Sequence, residues 1–238
     1  MSSKPLNVVF CLPGSSFSGR FLQCWTDTVH TMREHNINII LSQKSGSNIH
    51  HLRATCLGAN VMSGKNQQPF QGQINYDFIF WLDSDVIFSP KQILKLLSYN
   101  VDIVSGMYLM EGGNAYAMVE KGKWDFELYK KNGGSFEFVS REKANQLRQT
   151  GGLCEIEYNG FGFMCIKRGV FEKIPYPWFP PTFFNFKYTD TNGNEIDVHD
   201  FCSEDVGFCR KAIEAGFKIY VDPSIRVGHE KTHILYQN

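Results

Sequence analysis

Two carboxylates one residue apart, Asp83-Ser84-Asp85, stand directly after the apolar run 78–82. A strand ending there would fix the first carboxylate, and the second, two residues on, would point to the same side. Both could then address one hard divalent cation. Magnesium or manganese held this way would bridge the diphosphate of a nucleotide and offset its charge. The same spacing occurs in plain solvated turns, but a buried strand running straight into it favours the metal reading, because ligands of open α/β sheets bind outside the carboxyl ends of the strands. A second acidic pair, Glu204-Asp205, follows Ser203 where a helical pattern begins. Acidic residues there serve as caps or as acid–base groups. The loop Pro13-Gly14-Ser15-Ser16 follows the first apolar run and could wrap a nucleoside. It has neither the glycine spacing of dinucleotide sites nor the Gly-Lys-Ser/Thr of a phosphate loop.

The elements that must position these groups follow from periodicity. Residues 6–12 form a short continuous apolar run ending at Pro13-Gly14, as expected of a strand covered on both faces. Residues 19–34 repeat Phe21, Leu22, Trp25, Val29 and Met32 at three- and four-residue spacing, an amphipathic helix, and lead to a strand at 37–41. Ser47-Asn48 caps a helix carrying Ile49, Leu52, Arg53, Cys56 and Ala59. Residues 78–82 are a buried strand, Ser89-Pro90 opens another helix, and 101–107 is a further strand. Four strands alternating with three helices predict a doubly wound, mainly parallel α/β sheet with helices on both faces.

The second half reads differently. Gly-bounded pieces with aromatic alternation over 111–139 suggest a β-rich segment, and 141–149 is a small helix. Gly160 and Gly162 interrupt a strand-like run over 155–167, where glycine often marks close approach of a ligand or another backbone. Trp178, Phe179, Phe183, Phe184 and Phe186 lie among Pro175, Pro177, Pro180 and Pro181. Their rings could stack on sugar faces as an acceptor lid, or pack a core under a long loop. Asn192-Gly193 signals a two-residue hairpin. Two short strands and an exposed tail close the chain.

At 238 residues, 42% hydrophobic and with 24 basic against 24 acidic side chains, the chain is expected to form a single globular domain with no global field toward nucleic acid. The first half, 1–110, would bind a nucleotide, and the second, 111–238, would face the acceptor. Seven cysteines without a C-x-x-C pair argue against both a disulfide framework and a zinc ribbon. Apolar runs of five residues fall far short of a membrane span, which takes about 20, and no signal-peptide core follows residues 1–5. A soluble, cytoplasmic protein is expected.

Residues 77–90 resemble the DXD segment of GT-A-fold glycosyltransferases, which transfer sugar from a nucleotide-sugar to an acceptor. Residues 159–168 are similar to their glycine-bearing acceptor-side strand, 203–210 to their E-D helix, and 215–223 with 226–229 to their closing segment. These pieces stand in family order and leave out about 111–150 and 176–200. The compact length resembles family-2-like, small soluble enzymes of microbial or viral glycan assembly. The resemblance implies Mn2+ or Mg2+ on Asp85, with Asp83 on the ribose or a metal-bound water and His229 completing the site. Nitrogen ligation would tilt the preference toward manganese. It further implies a nucleotide site at Pro13, Gly14, Arg53, Asp83, Ser84 and Asp85, and Asp205 as general base, with Glu204 the neighbouring possibility. Acceptor contacts fall at Gly160, Gly162 and Trp178. The expected reaction is transfer from a nucleoside-diphosphate sugar, commonly a UDP-sugar at DXD sites, to a glycan or other hydroxyl, inverting if a carboxylate base acts. A retaining transferase, a sugar nucleotidyltransferase and a non-catalytic nucleotide- or glycan-binding module are the alternatives.

Overall fold

The computed structural model describes residues 4–231; the expected C-terminal tail lies outside them. In chain order the elements are β1 (Leu6–Pro13), α1 (Gly19–Glu34), β2 (Ile37–Lys44), α2 (Ile49–Cys56), β3 (Phe78–Leu82), β4 (Val86–Ile87) and α3 (Pro90–Ser98). They continue with β5 (Ile103–Met107), β6 (Met118–Glu120), α4 (Phe126–Lys131), α5 (Arg141–Thr150), β7 (Cys154–Asn159), β8 (Phe163–Lys167) and α6 (Val170–Lys173). The last are β9 (Thr182–Thr189), β10 (Glu195–Cys202), α7 (Glu204–Glu214), β11 (Ile219–Arg226) and β12 (Gly228–His229). Local chemistry sets the helix starts: Ser18 accepts from the Phe21 N–H at 3.1 Å, and Asn48 from the His51 N–H at 3.2 Å.

The central sheet has eight strands in the order β2-β1-β3-β8-β5-β11-β7-β6. Strand β1 runs parallel to β2 and β3, and β11 parallel to β5. The other four pairings, β3 with β8, β8 with β5, β11 with β7 and β7 with β6, are antiparallel. The expectation of a mainly parallel sheet is therefore corrected to a mixed one. The cause is the second half: the run 155–167 is divided at 160–162 into β7 and β8. One of these inserts between β3 and β5, and the other lies outside β11.

Side chains alternate across the sheet with period two. Val8, Phe10, Leu12, Phe80 and Leu82 pack with Phe21 and Met32 of α1 and Ile93 and Leu96 of α3. Val9, Cys11, Ile79 and Trp81 pack on the other face with Ala54 of α2 and Phe208 and Ala212 of α7. The two covered faces explain why β1 and β3 read as unbroken apolar runs. In 111–139 the expected β-rich segment is corrected to one short strand and the helix α4. Asp125 caps that helix by accepting from the Glu127 and Leu128 N–H groups, and Trp124, Tyr129 and Phe136 cluster ring to ring.

Two small ribbons complete the fold. Strands β9 and β10 form a hairpin around Asn192-Gly193, but through the longer connection 190–194 and not the two-residue turn expected, and β10 leads directly into α7. Strands β4 and β12 pair antiparallel, with His229 opposite Val86. That ribbon carries the end of the chain back to Asp85.

Candidate active site

At the end of β3 the Asp83 N–H donates to the Gly162 carbonyl at 3.1 Å, and the Val86 N–H to the Asp83 carbonyl at 3.2 Å. The chain turns here, and Ser84 and Asp85 are presented just past the carboxyl end of this interior strand. The Glu230 N–H donates to the Asp85 carbonyl at 2.7 Å, which locks the returning strand. On one carboxylate oxygen, Asp85 Oδ2, converge His229 Nε2 at 3.1 Å and Lys231 Nζ at 2.9 Å. His229 Nδ1 lies 2.7 Å from the Leu109 carbonyl oxygen. A carbonyl only accepts, so Nδ1 carries the proton. A neutral His229 then aims the lone pair of Nε2 at a carboxylate that also only accepts. Such a pair is stable when the imidazole is doubly protonated or when a cation lies between the two groups.

The electrostatics agree. Burial raises the Asp85 carboxyl, but the hydrogen bonds from His229 and Lys231 outweigh it and hold the group at about 2. The hydrogen bond to Asp85 raises His229 above its ordinary value, against burial.

Asp83 faces a different partner. Its two oxygens take Arg53 Nη1 at 2.9 Å and Nη2 at 3.1 Å, while Arg53 Nε donates to Glu204 Oε1 at 2.8 Å. Arg53 is 3% exposed and stands 5.5 Å from the centroid of the Trp81 ring and 5.2 Å from that of Phe161. Burial works against its charge, but Asp83 and Glu204 more than offset this and hold its pKa above the usual value. Three assignments change as a result. Arg53 is buried and directs Nε, Nη1 and Nη2 to carboxylates of the protein, so it is not placed as a ligand contact. Glu204 is buried on that guanidinium, so its carboxylate is not available as a base. Asp83 is held by Arg53 and does not share the Asp85–His229 corner, so it is not placed as a direct metal ligand.

Asp205, the next residue on α7, takes its hydrogen bonds from outside that ion group. Its Oδ2 accepts from the Tyr158 hydroxyl at 2.8 Å, and its Oδ1 from the Ser203 hydroxyl. Burial first, and the neighbouring Glu204 carboxylate second, raise its pKa above the ordinary carboxylate value. Such a shift moves a carboxylate toward the range in which it can take up a proton near neutral pH.

Pro13 is the buried last residue of β1. Gly14 has φ of 150°, and a Cβ there would lie 2.8 Å from Ser84 Cβ, so only glycine lets the first loop sit against the Asp83–Asp85 turn. Gln43 Nε2 donates to the Gly14 carbonyl at 2.6 Å. Beside this loop opens a cavity of about 380 Å3 whose wall includes Lys44, Ser45, Ser47 and His51. Gly160 and Gly162 are not open to an acceptor: a Cβ at either would strike Tyr108, at 2.0 Å and 2.8 Å. Trp178 is fully buried, with Nε1 donating to the Phe171 and Ile174 carbonyls at 3.1 Å. The acceptor roles expected for these three residues are therefore corrected: the Tyr108 ring, just beyond β5, fills the space beside the glycines, and Trp178 is core. Of the other rings expected as a platform, Phe179 and Phe184 are buried, whereas Phe183 is 68% exposed.

Sequence reasoning missed Tyr108, Tyr158 and Lys231. The first two look like ordinary strand aromatics, and Lys231 like a surface charge. The signal that could have found Tyr108 is its place just beyond the end of β5.

No group of three or more His, Cys, Asp or Glu side chains suited to a metal occurs among the described residues. Asp85 and His229 are nevertheless a fitting pair of ligands. They bring one carboxylate oxygen and one imidazole nitrogen within 3.1 Å of each other, a mixed oxygen and nitrogen donor set that would suit a manganese-type cation, with Lys231 Nζ on the same carboxylate oxygen to be displaced. The carbonyl on Nδ1 is the outer partner that metal-bound histidines commonly have. A magnesium- or manganese-type ion commonly takes only one or two protein ligands and completes its shell with phosphate and water.

No protein-family profile matches the chain, and no curated protein does. Among solved structures it is similar to A197 from STIV, at 17% identity and a TM-score of 0.51, over 98% of both chains. It also aligns with GalNAc-T7, solved with UDP, GalNAc and Mn2+, at 12% identity and a TM-score of 0.49, covering 96% of this chain and 43% of that one. What is shared with A197 is the fold, from end to end. No helix among the described residues is long and apolar enough to cross a membrane.

Proposed function

We propose that the chain is a glycosyltransferase of the GT-A type. It would move a sugar from a nucleoside-diphosphate sugar, expected to be a UDP-sugar, to a hydroxyl of a glycan acceptor, with Mn2+ or Mg2+ held by Asp85 and His229. The observation that carries this reading is the meeting of Asp85 and His229, 144 residues apart in sequence. They meet beside the turn that ends β3, with the histidine's other nitrogen already committed to a carbonyl. When bound, the cation supplies positive charge against the negative charge of the diphosphate.

The remaining roles belong to the chain's own side chains. Asp83, held by Arg53, keeps lone pairs for a ribose hydroxyl. The Gly14 loop and the cavity beside Lys44 receive the nucleoside. Asp205 accepts the acceptor's hydroxyl proton as that oxygen bonds to the anomeric carbon. The bond from that carbon to the phosphate oxygen breaks, and its electron pair leaves with the nucleoside diphosphate. Attack from the face opposite the leaving group inverts the anomeric centre. Tyr158 and Ser203 hold the Asp205 carboxylate in one orientation for this transfer.

The test is release of nucleoside diphosphate from a panel of UDP-, GDP- and dTDP-sugars, with and without Mn2+, by the wild type and Asp85→Asn. Metal-dependent release that Asp85→Asn abolishes while remaining folded supports the reading. Pyrophosphate release from a nucleoside triphosphate and a sugar phosphate would identify a nucleotidyltransferase instead. Binding without turnover of any donor and acceptor would identify a non-catalytic module.

A further inference from the structure

Tyr108 stands just beyond the carboxyl end of β5, and its surroundings are built to hold it there. Gly160 and Gly162 flank the ring, and a Cβ at Gly160 would lie 2.0 Å from the phenol oxygen. The edge of the His229 ring meets it at a centroid distance of 5.1 Å. The hydroxyl oxygen accepts the Gly162 N–H at 3.2 Å, and the carbonyl of that same glycine takes the Asp83 N–H. One peptide unit thus ties the phenol to the turn that presents Asp83. A tyrosine hydroxyl has one proton to give, and this one has no acceptor among the described residues. Half-buried hydroxyls of this kind ordinarily find a partner.

The location narrows what the partner is. A phenol keeps its proton across the neutral range, so this hydroxyl serves as a donor. It stands among His229 and Asp83, assigned above to the metal and ribose, and Asp205, assigned to the acceptor. What lies between a diphosphate and an acceptor in the proposed reaction is the sugar being transferred.

We infer that the Tyr108 hydroxyl donates a hydrogen bond to a hydroxyl oxygen of the transferred sugar, making Tyr108 a specificity-determining residue of the donor site. The inference rests on the glycosyltransferase reading. A site that hydrogen-bonds a substrate hydroxyl discriminates against analogues lacking it, because the protein's polar group is then left unpaired. Tyr108→Phe removes this donor together with the acceptor of the Gly162 N–H, a loss common to the free and the bound protein, and should weaken binding of the nucleotide-sugar about tenfold, the upper range for one neutral hydrogen bond. Affinity for the free nucleoside diphosphate should not change. In kinetics the loss should fall on KM, with kcat little altered.

The experiment pairs each nucleoside diphosphate with its hexose derivative, UDP with UDP-glucose and GDP with GDP-mannose among them. Each is titrated into wild type and Tyr108→Phe in the presence of Mn2+. Donors lacking one sugar hydroxyl at a time are then compared on both proteins. The expected result is one deoxy position that costs the wild type about tenfold and costs Tyr108→Phe nothing further. Equal weakening of diphosphate and nucleotide-sugar would place the hydroxyl on phosphate and overturn the inference. So would unchanged affinity for both. If Tyr108→Phe fails to fold, the deoxy series on the wild type decides alone, and the absence of any sensitive hydroxyl refutes the idea. Failure of the wild type to bind any nucleotide or nucleotide-sugar would instead remove the glycosyltransferase reading itself.

Discussion

Replacing Arg53 by methionine is the most informative perturbation of the site, because its guanidinium ties α2, the end of β3 and the first turn of α7 together. Three of its nitrogens lie 2.8 to 3.1 Å from carboxylate oxygens. The two partners differ in exposure: the Asp83 side chain is 27% exposed, and that of Glu204 only 6%. Without the guanidinium Asp83 can rehydrate, whereas Glu204 is left as a buried charge. Breaking a buried pair from one side costs about 3–5 kcal/mol. In a domain of this size that lowers Tm by about 6–20 °C, at roughly 2–4 °C per kcal/mol.

Glu204→Gln should cost much less, because Arg53 keeps both contacts to Asp83 and the amide oxygen can still accept from Nε. The double variant Arg53→Met/Glu204→Leu removes the orphaned charge and fills the slot between Trp81 and Phe161 with apolar atoms. It should return to within about 2 kcal/mol of the wild type. Its activity should stay low, because Asp83 has lost the fork that orients it. Urea and thermal unfolding followed by circular dichroism on Arg53→Met, Glu204→Leu and the double variant, combined as a double-mutant cycle, measure each quantity. If Arg53→Met loses less than about 1 kcal/mol, or if the double variant loses as much as the two single changes added together, the account of Arg53 as a buried clamp is wrong.

Three further outcomes are expected. Because the Asp205 carboxyl is raised on folding, its stabilisation is complete below the unfolded value of about 3.9 and is lost as pH rises through the folded value. Asp205→Asn should therefore match or exceed the wild-type Tm near neutral pH, with the gap closing toward about pH 4, while transfer falls by about 10²–10⁴. Thermal unfolding at both pH values and a transfer assay check this, and a lower Tm at neutral pH would contradict it. His229→Gln should abolish most of the Mn2+-dependent rise in wild-type Tm. In the wild type, Mn2+ affinity by calorimetry should strengthen as pH rises, because the cation must replace a proton that Asp85 helps hold on the imidazole. Gly160→Ala should destabilise by about 1–3 kcal/mol through overpacking against Tyr108. The loss should be smaller in a Tyr108→Phe background, since the nearest remaining ring atom is then 3.0 Å away.

Much of the framework follows from local pattern. The apolar run 78–82 is the buried strand β3, 19–34 is a helix, and Asp83-Ser84-Asp85 does fall at a strand end. Asn48 caps the helix it precedes, and Asn192-Gly193 turns a hairpin. These features depend on burial period, capping and turn chemistry within a few residues, and such short-range terms are written directly in the order of side chains. The strands of the second half of the central sheet are less legible. The residues 155–167 read as one strand because alternation continues through the glycines, and only the packing of Tyr108 against them explains where the run divides.

The partners of Arg53, Glu204 and Asp83 were decided by tertiary structure alone. Neither Arg53 nor Glu204 carries any mark that they will find each other across 151 residues, and Asp83 and Asp85 are near-identical in sequence context yet serve different partners. Trp178 and Phe183 are both aromatic residues in a proline-rich stretch, and one is core while the other is exposed. Residue type and spacing determine what a side chain can do and which element carries it. Which ion it meets, and whether water reaches it, depends on long-range strand order, because electrostatic pairing and burial are set by whatever other segments bring to the same few ångströms.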